Sequence, residues 1–435
     1  MKKFLLQGIL LVLLVGCNNL EDATPSDRDT FIKFFNGPHD LTASALELIP
    51  GGYIILGNMQ VNDTLVKTAV IQTDENGNRI GEINYIDGGT GKAIKPLINS
   101  GTVTGYVVIG DSIKIDPFAD QAGNIIISSL RVVRLSEDFS PMDYYYKTDK
   151  TPLTRTNQFK QDFSGQALTI TTDGRIFALG SVTTGQQAAP KRTLLVELNS
   201  SLDSLWSIVY DINGRTYQNS KSVIYDNNKI IWATALSIEQ GGFNNSYVSI
   251  PVAVEQSAFI NFSRIGQTSE QLFVPGDITP ASNPSFGYGV AGTYSIETNG
   301  SEGNLFFLRV NQAGDIIPGS DRYFDGLTGM QSLTDPTESA TLDGGEAITS
   351  TIDGGFVIAG TTALVSGNGN DLWLLKLNAV GDPVWSKTFG GSGDEVPSSI
   401  RELPSGELLI CGTNTVGGFS SIFLIKTDKN GELND

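Results

Sequence analysis

A chain of 435 residues with a single histidine has little from which to build a His-centred triad or a nitrogen-rich metal site. His39 stands in Gly37-Pro38-His39-Asp40, a run of turn formers, and reads as a loop residue. No GxSxG nucleophile elbow and no phosphate-cradling GxxxxGK[ST] occurs. Carboxylates are plentiful, 47 against 29 Lys and Arg, so acid-base glycoside chemistry has its raw material. Nothing in the sequence singles out a pair.

Some acids do cluster. Asp394 and Glu395 fall together, as do Asp335, Glu338 and Asp343, and Asp371 opens an apolar run. Hard cations want several oxygens, and Ca²⁺ is the ion such a group would take. The plainer reading is a solvated acidic surface, and the expectation is no cofactor. Asp74-Glu75-Asn76-Gly77-Asn78 and Asp428-Lys429-Asn430-Gly431 resemble the start of a calcium loop but lack its closing Glu. Equivalent positions elsewhere hold Ala379-Val380-Gly381 and Gln312-Ala313-Gly314, so a hairpin turn is expected at all four.

The two cysteines have different fates. Cys411 lies in Leu-Leu-Ile-Cys-Gly-Thr, a strand-like run, and is expected to be a buried, inert thiol. Cys17 closes a leader of Lys2, Lys3 and an apolar run, behind Leu14-Val15-Gly16. That leader resembles the lipobox of bacterial lipoproteins. The resemblance implies cleavage before Cys17, lipidation of Cys17 and anchoring to a membrane through its acyl chains. Asn18 and Asn19 are not the Asp that favours inner-membrane retention, and Glu21-Asp22 resemble acidic surface-export signals. An outer-membrane lipoprotein follows, on the periplasmic side or at the cell surface. Residues 18–30 read as a flexible tether. The net charge of -18 argues against nucleic acid and against electrostatic adhesion to an anionic bilayer.

What must position any site is a repeat. Residues 346–391 read as four short apolar segments parted by Asp353-Gly354-Gly355, a polar loop and Val380-Gly381-Asp382. They are strands a to d of one antiparallel unit. Two marks count the copies. One is the Gly late in strand b: Gly57, Gly110, Gly180, Gly292, Gly360 and Gly412, with Ala233 in its place once. The other is a polar residue late in strand c: Gln72, Arg134, Glu197, Arg264, Arg309, Lys376 and Lys426. Both give seven. The last unit lacks strand d, but Lys33-Phe34-Phe35-Asn36-Gly37 matches Lys387-Thr388-Phe389-Gly390-Gly391. The missing strand therefore lies at the N-terminus, and pairing it with the last unit closes a ring.

The expectation is an all-β chain, a β-propeller of seven four-stranded blades closed by an N-terminal strand on the C-terminal blade. Blades are placed at 41–89, 90–149, 161–214, 215–275, 278–326, 340–391 and 392–435 with 31–37. The stretch from Asp353-Gly354-Gly355-Phe356 to Trp385-Ser386-Lys387-Thr388-Phe389-Gly390-Gly391 resembles a propeller repeat of bacterial secreted proteins and lipoproteins. That resemblance implies a non-enzymatic extracytoplasmic module with no catalytic residues to carry over.

Propeller geometry puts b–c loops and d–a crossovers on one face. The long segments 111–124 and 236–257 (b–c) and 149–161 and 327–341 (d–a) all fall there, and such insertions mark binding faces. Candidate contacts are Phe118, Phe243, Tyr247, Asp371, Asp394 and Glu395. The expected partner is a protein or a surface polysaccharide. The competing reading is a carboxylate-based carbohydrate-active enzyme with its site at the ring axis.

Overall fold

A computed structural model describes residues 30–62, 65–115, 126–148, 161–183, 191–210, 216–240, 243–254, 259–265, 271–296, 303–326, 343–363 and 369–434. Cys17, the tether up to residue 29, Phe118 and most of the 149–161 and 327–341 crossovers lie outside them. No helix of the described residues is long and apolar enough to cross a membrane.

Seven four-stranded antiparallel sheets follow one another around a ring. After β1 (Phe31–Phe35), blade one holds β2 (Leu41–Ile49), β3 (Gly52–Gln60), β4 (Val66–Asp74) and β5 (Asn84–Ile86). Blade two holds β6 (Ala93–Asn99), β7 (Thr102–Ile115), β8 (Ile126–Leu135) and β9 (Pro141–Lys147). Blade three holds β10 (Asp162–Ile170), β11 (Ile176–Thr183), β12 (Lys191–Leu198) and β13 (Ser204–Tyr210). Blade four holds β14 (Thr216–Asp226), β15 (Lys229–Gln240), β16 (Phe243–Val254) and β17 (Phe259–Ile265). Blade five holds β18 (Gln271–Pro280), β19 (Tyr288–Ile296), β20 (Gly303–Val310) and β21 (Arg322–Phe324). Blade six holds β22 (Gly344–Ser350), β23 (Phe356–Thr362), β24 (Asp371–Leu377) and β25 (Pro383–Phe389). Blade seven holds β26 (Asp394–Glu402), β27 (Leu408–Val416) and β28 (Phe419–Thr427), and β1 completes it. Phe31 pairs with Lys426 and Phe35 with Ile422, so the N-terminal strand supplies the missing edge.

Sequence explains why strands b and c are apolar on both sides: each sheet is covered by a neighbour on either face. The core accordingly divides into one cluster per blade interface. Leu56 and Val70 meet Ile94 and Val108 between blades one and two. Leu41 and Ile71 meet Leu409, Ile422 and Phe35 where the ring closes. A buried Leu or Ile at such a seam stabilises by roughly 1.5–3 kcal/mol.

The strand-b glycines mark a close approach. A Cβ at Gly57, Gly110, Gly180, Gly292, Gly360 or Gly412 would sit 1.9–2.6 Å from a carbonyl oxygen of strand a or, for Gly110, of Thr90 just before it. Strand a bulges there: the register shifts between Ala43 and Ala45, Gly165 and Ala167, Pro275 and Asp277, Gly345 and Ala347, and Pro397 and Ser399. Blade four tolerates Ala233 because its bulge is wider, spanning Asn219 to Val223.

Several strand-c polar residues reach the a–b turn or strand d of their own blade. Lys376, buried, donates to Asp353 at 2.7 Å and to Thr351. Burial opposes ionisation of Asp353, but Lys376, Thr351 and the Gly355 N–H bring its pKa down to about 2. Lys426 faces Glu407 and Arg134 faces Asp143.

Two boundaries differ from the sequence reading. Residues 271–275, placed by pattern in blade four, begin β18 and belong to blade five. Segment 236–257, read as a loop, is in the main the paired ends of β15 and β16, from Leu236–Tyr247 to Gln240–Phe243. Its run of Gln, Gly and Asn residues at 240–245 breaks the apolar pattern by which a strand is read from sequence.

Candidate functional site

A cavity of about 360 Å³ runs along the ring axis, lined by the inner strands of all seven blades. The bulges set what points into it. In six blades the residue two positions after the bulge-closing residue lines the cavity; in blade two, whose register shifts between Leu97 and Ile98 instead, Lys95 takes the same place, pairing with Val107 as Glu47 pairs with Ile54. Blades seven, one and two contribute Arg401, Glu47 and Lys95. Blades three to six contribute Thr169, Tyr225, Thr279 and Thr349. A charged arc therefore faces an uncharged one.

The charged arc is a three-residue network. Lys95 donates to Glu47 Oε1 at 2.6 Å, and Arg401 donates to the same oxygen at 3.1 Å. Burial works to raise the Glu47 pKa, yet Lys95 and then Arg401 hold it below the usual carboxylate range. Arg401 spends one further N–H on the Ile400 carbonyl at 2.8 Å. Lys92 stands at the crossover end of β6, and Lys221 pairs with Glu346 at 2.6 Å.

Asp277 is the second axial carboxylate. It replaces the small Ala45, Ala93, Ala167 or Ala347 of other blades. It is buried, and its oxygens accept from the Ile278 N–H at 2.8 Å and, in the next blade, the Ile348 N–H at 3.2 Å. Burial pushes its pKa up, against a hydrogen bond from Ser222 and the charge of Arg401. Glu47 and Asp277 are thus both engaged by protein groups, one by cations and one by donors.

On the crossover face, Asp371, Asp394 and Glu395 come together at the start of β24 and β26. A Cβ at Gly390 would meet the Asp371 carboxylate. Asp394 Oδ1 accepts from Asn370 N–H at 2.8 Å, and Glu395 Oε2 accepts from Gly391 N–H at 3.2 Å. Burial lifts the Glu395 pKa, and Asp371 and Asp394 add to the rise against the Gly391 hydrogen bond. Asp394 and Glu395, expected on a crossover, open the inner strand instead. Among the described residues no group of three or more His, Cys, Asp or Glu is arranged to hold a metal ion. Phe243 and Tyr247 lie in β16.

The calcium-like stretches sit at c–d turns. Asp74 Oδ1 accepts from the Asn76 and Asn78 N–H groups, and Asp428 Oδ1 accepts from those of Asn430 and Glu432. Asn378 makes the same pair of bonds in blade six, so this is the repeat's own turn. His39 is exposed. Cys411 is fully buried, and burial pushes its thiol up to about 12.

Sequence reading missed the residue that follows the strand-b Gly. Asn58 Oδ1 accepts from Gly91 N–H at 2.7 Å, Asp111 Oδ1 from Gly165 N–H at 2.8 Å, and Thr413 Oγ1 from Ala43 N–H at 3.0 Å. Each latches its blade to the next, Asp111 and Thr413 at the strand-a bulge and Asn58 just before β6. The signal was present, since a polar residue follows every one of the six glycines.

No family model and no curated protein matches the chain. Solved structures do. The β-propeller domain of the Trilobed protease from Pyrococcus furiosus is 11% identical, with a TM-score of 0.45 over 93% of this chain and 98% of that one. A neuraminidase-like protein of A/bat/Guatemala/164/2009 is 9% identical, with a TM-score of 0.44 over 93% and 96%. An α-L-arabinofuranosidase of Fusarium graminearum is 12% identical, with a TM-score of 0.44 over 92% and 97%. At these values the likeness carries no argument about chemistry.

Proposed function

We propose that the protein is a non-enzymatic binding or scaffold module, held to the outer membrane through lipid on Cys17, that engages a protein partner or surface polysaccharide with its crossover face. One observation supports the reading most. Blade four is lengthened most at that face: β15 continues from Ala233 to Gln240, further than β7 from Gly110 to Ile115, β19 from Gly292 to Ile296, β27 from Gly412 to Val416 or β23 from Gly360 to Thr362. Its opposite end closes in a short turn. An apolar rim of Phe34, Val416 and Phe419 adjoins a second hollow on the same face. The test replaces the blade-four projection, residues 235–248, by the Gly417-Gly418 turn of blade seven. Stoichiometric capture of one envelope component by the wild type, lost in the folded variant, is expected; capture that survives the change contradicts the reading.

The enzymatic alternative rests on Glu47 and Asp277, whose environments push their carboxyls in opposite directions, as in acid–base pairs. Glycan cleavage by purified protein, abolished by Asp277→Asn, would establish it in place of the binding reading.

A further inference from the structure

The axial cavity has a chemistry of its own, apart from the crossover face. In a chain of net charge -18, four cations, Lys92, Lys95, Lys221 and Arg401, line the cavity against two carboxylates, Glu47 and Asp277; Lys221 pairs with Glu346, and Lys95 and Arg401 share one oxygen of Glu47, which leaves one positive charge in surplus along the lining. Lys92 adds a cation at the crossover end, where Asp111 is the carboxylate that feels its charge. Arg401 and Lys95 keep 28% and 32% of their side chains accessible, so their remaining donors face the cavity. Thr169, Thr279 and Thr349 of the other blades also line the cavity, the Thr349 hydroxyl donating to the Ser350 carbonyl at 3.4 Å and keeping its acceptor capacity. Tyr225 adds a ring rather than a hydroxyl, because its OH accepts from Arg175 at 2.8 Å and donates to Asn228 at 3.0 Å.

This combination selects a ligand class. A surplus of guanidinium and ammonium donors takes a carboxylate. Hydroxyls of the other blades, with acceptor capacity left, take hydroxyls. The volume corresponds to about a dozen waters, too roomy for an inorganic ion alone and suited to a hexose-sized molecule. We propose that the axial cavity binds a sugar acid, its carboxylate against Lys95 and Arg401 and its hydroxyls against Thr169, Thr279 and Thr349. The acid can be free or the end of an acidic polysaccharide; the chemistry recognised is the same.

The test is calorimetric titration of the purified protein with D-galacturonate, its linear trimer, D-galactose and sulfate. Saturable binding of galacturonate is expected, with galactose at least about tenfold weaker, because a charge-assisted hydrogen bond is lost. Lys95→Met keeps the Glu47–Arg401 pair and with it the fold, and should weaken galacturonate about tenfold or more. Thr349→Val preserves shape and should weaken galacturonate while leaving sulfate unchanged. A trimer tighter than the monomer assigns the site to a chain end, and equal affinities assign it to the free acid. The proposal is overturned if neither monomer nor trimer saturates by about 10 mM. It is overturned equally if galactose matches galacturonate, if sulfate matches it, or if folded Lys95→Met binds as the wild type does.

Discussion

Glu47→Gln tests the axial network directly. The change keeps the shape and an oxygen acceptor, but leaves Lys95 and Arg401 adjacent with no anion between them. Breaking a buried pair by removing one partner costs about 3–5 kcal/mol, whereas exposed pairs are worth about 0–1. The side chains here are 13%, 32% and 28% accessible for Glu47, Lys95 and Arg401, an intermediate, cavity-wetted setting. The expected loss is about 2–3 kcal/mol at neutral pH, which for a chain of this length lowers Tm by about 3 °C. The sign with pH is fixed. The Glu47 pKa is depressed on folding, so its contribution is complete above the unfolded value, about 4.3, and is lost as pH falls through the folded one. Thermal melts of both proteins from pH 7 to pH 3 should therefore show a gap that is full at pH 7 and closes below about pH 4. Equal Tm values at pH 7, or a gap that widens on acidification, would refute the reasoning.

Three further outcomes follow from packing. Gly360→Ala drives a Cβ to 2.0 Å from the Gly344 carbonyl and should cost about 2–3 kcal/mol, while Gly417→Ala, at φ +61° with nothing within 4 Å, should cost about 1; comparative melts decide, and equal costs would contradict the bulge account. Deleting β1 exposes the β28 edge and removes the Phe35 ring from the closing cluster, about 3–5 kcal/mol by itself; size-exclusion chromatography should show concentration-dependent association, and a stable monomer would show that ring closure is dispensable. A Cys17→Ser protein should show no thiol reactive to Ellman's reagent when native and one when unfolded, since the Cys411 thiol is buried and raised to about 12.

The architecture was legible because repetition amplifies weak marks. One Gly late in a strand says little; six at matched places, with Ala233 as a seventh, report a close carbonyl approach that recurs around the ring. The closing strand was legible because Lys33-Phe34-Phe35-Asn36-Gly37 kept its strand-d signature far from its blade. The axial site was not legible. Glu47, Lys95 and Arg401 occupy one structural position in three blades, but each bulge breaks strand parity by one residue and blade four's wider bulge breaks it further. Without those offsets, charged residues in half-polar inner strands look like any solvated acid or lysine. Asp371, Asp394 and Glu395 do meet in space, yet backbone N–H groups take up oxygens of the last two, which sequence proximity does not reveal.

The most direct measurement is site-specific photocrosslinking in intact cells, with a photoreactive residue placed at Gln240 or Phe419 on the crossover face and at Val380 on the opposite face. Gln240 ends β15, Phe419 is 79% exposed beside the blade-seven b–c turn, and Val380 caps a c–d turn. The account predicts one discrete high-mass adduct from Gln240 or Phe419 and none from Val380. An adduct from Val380 alone would contradict it, as would none from either crossover-face position.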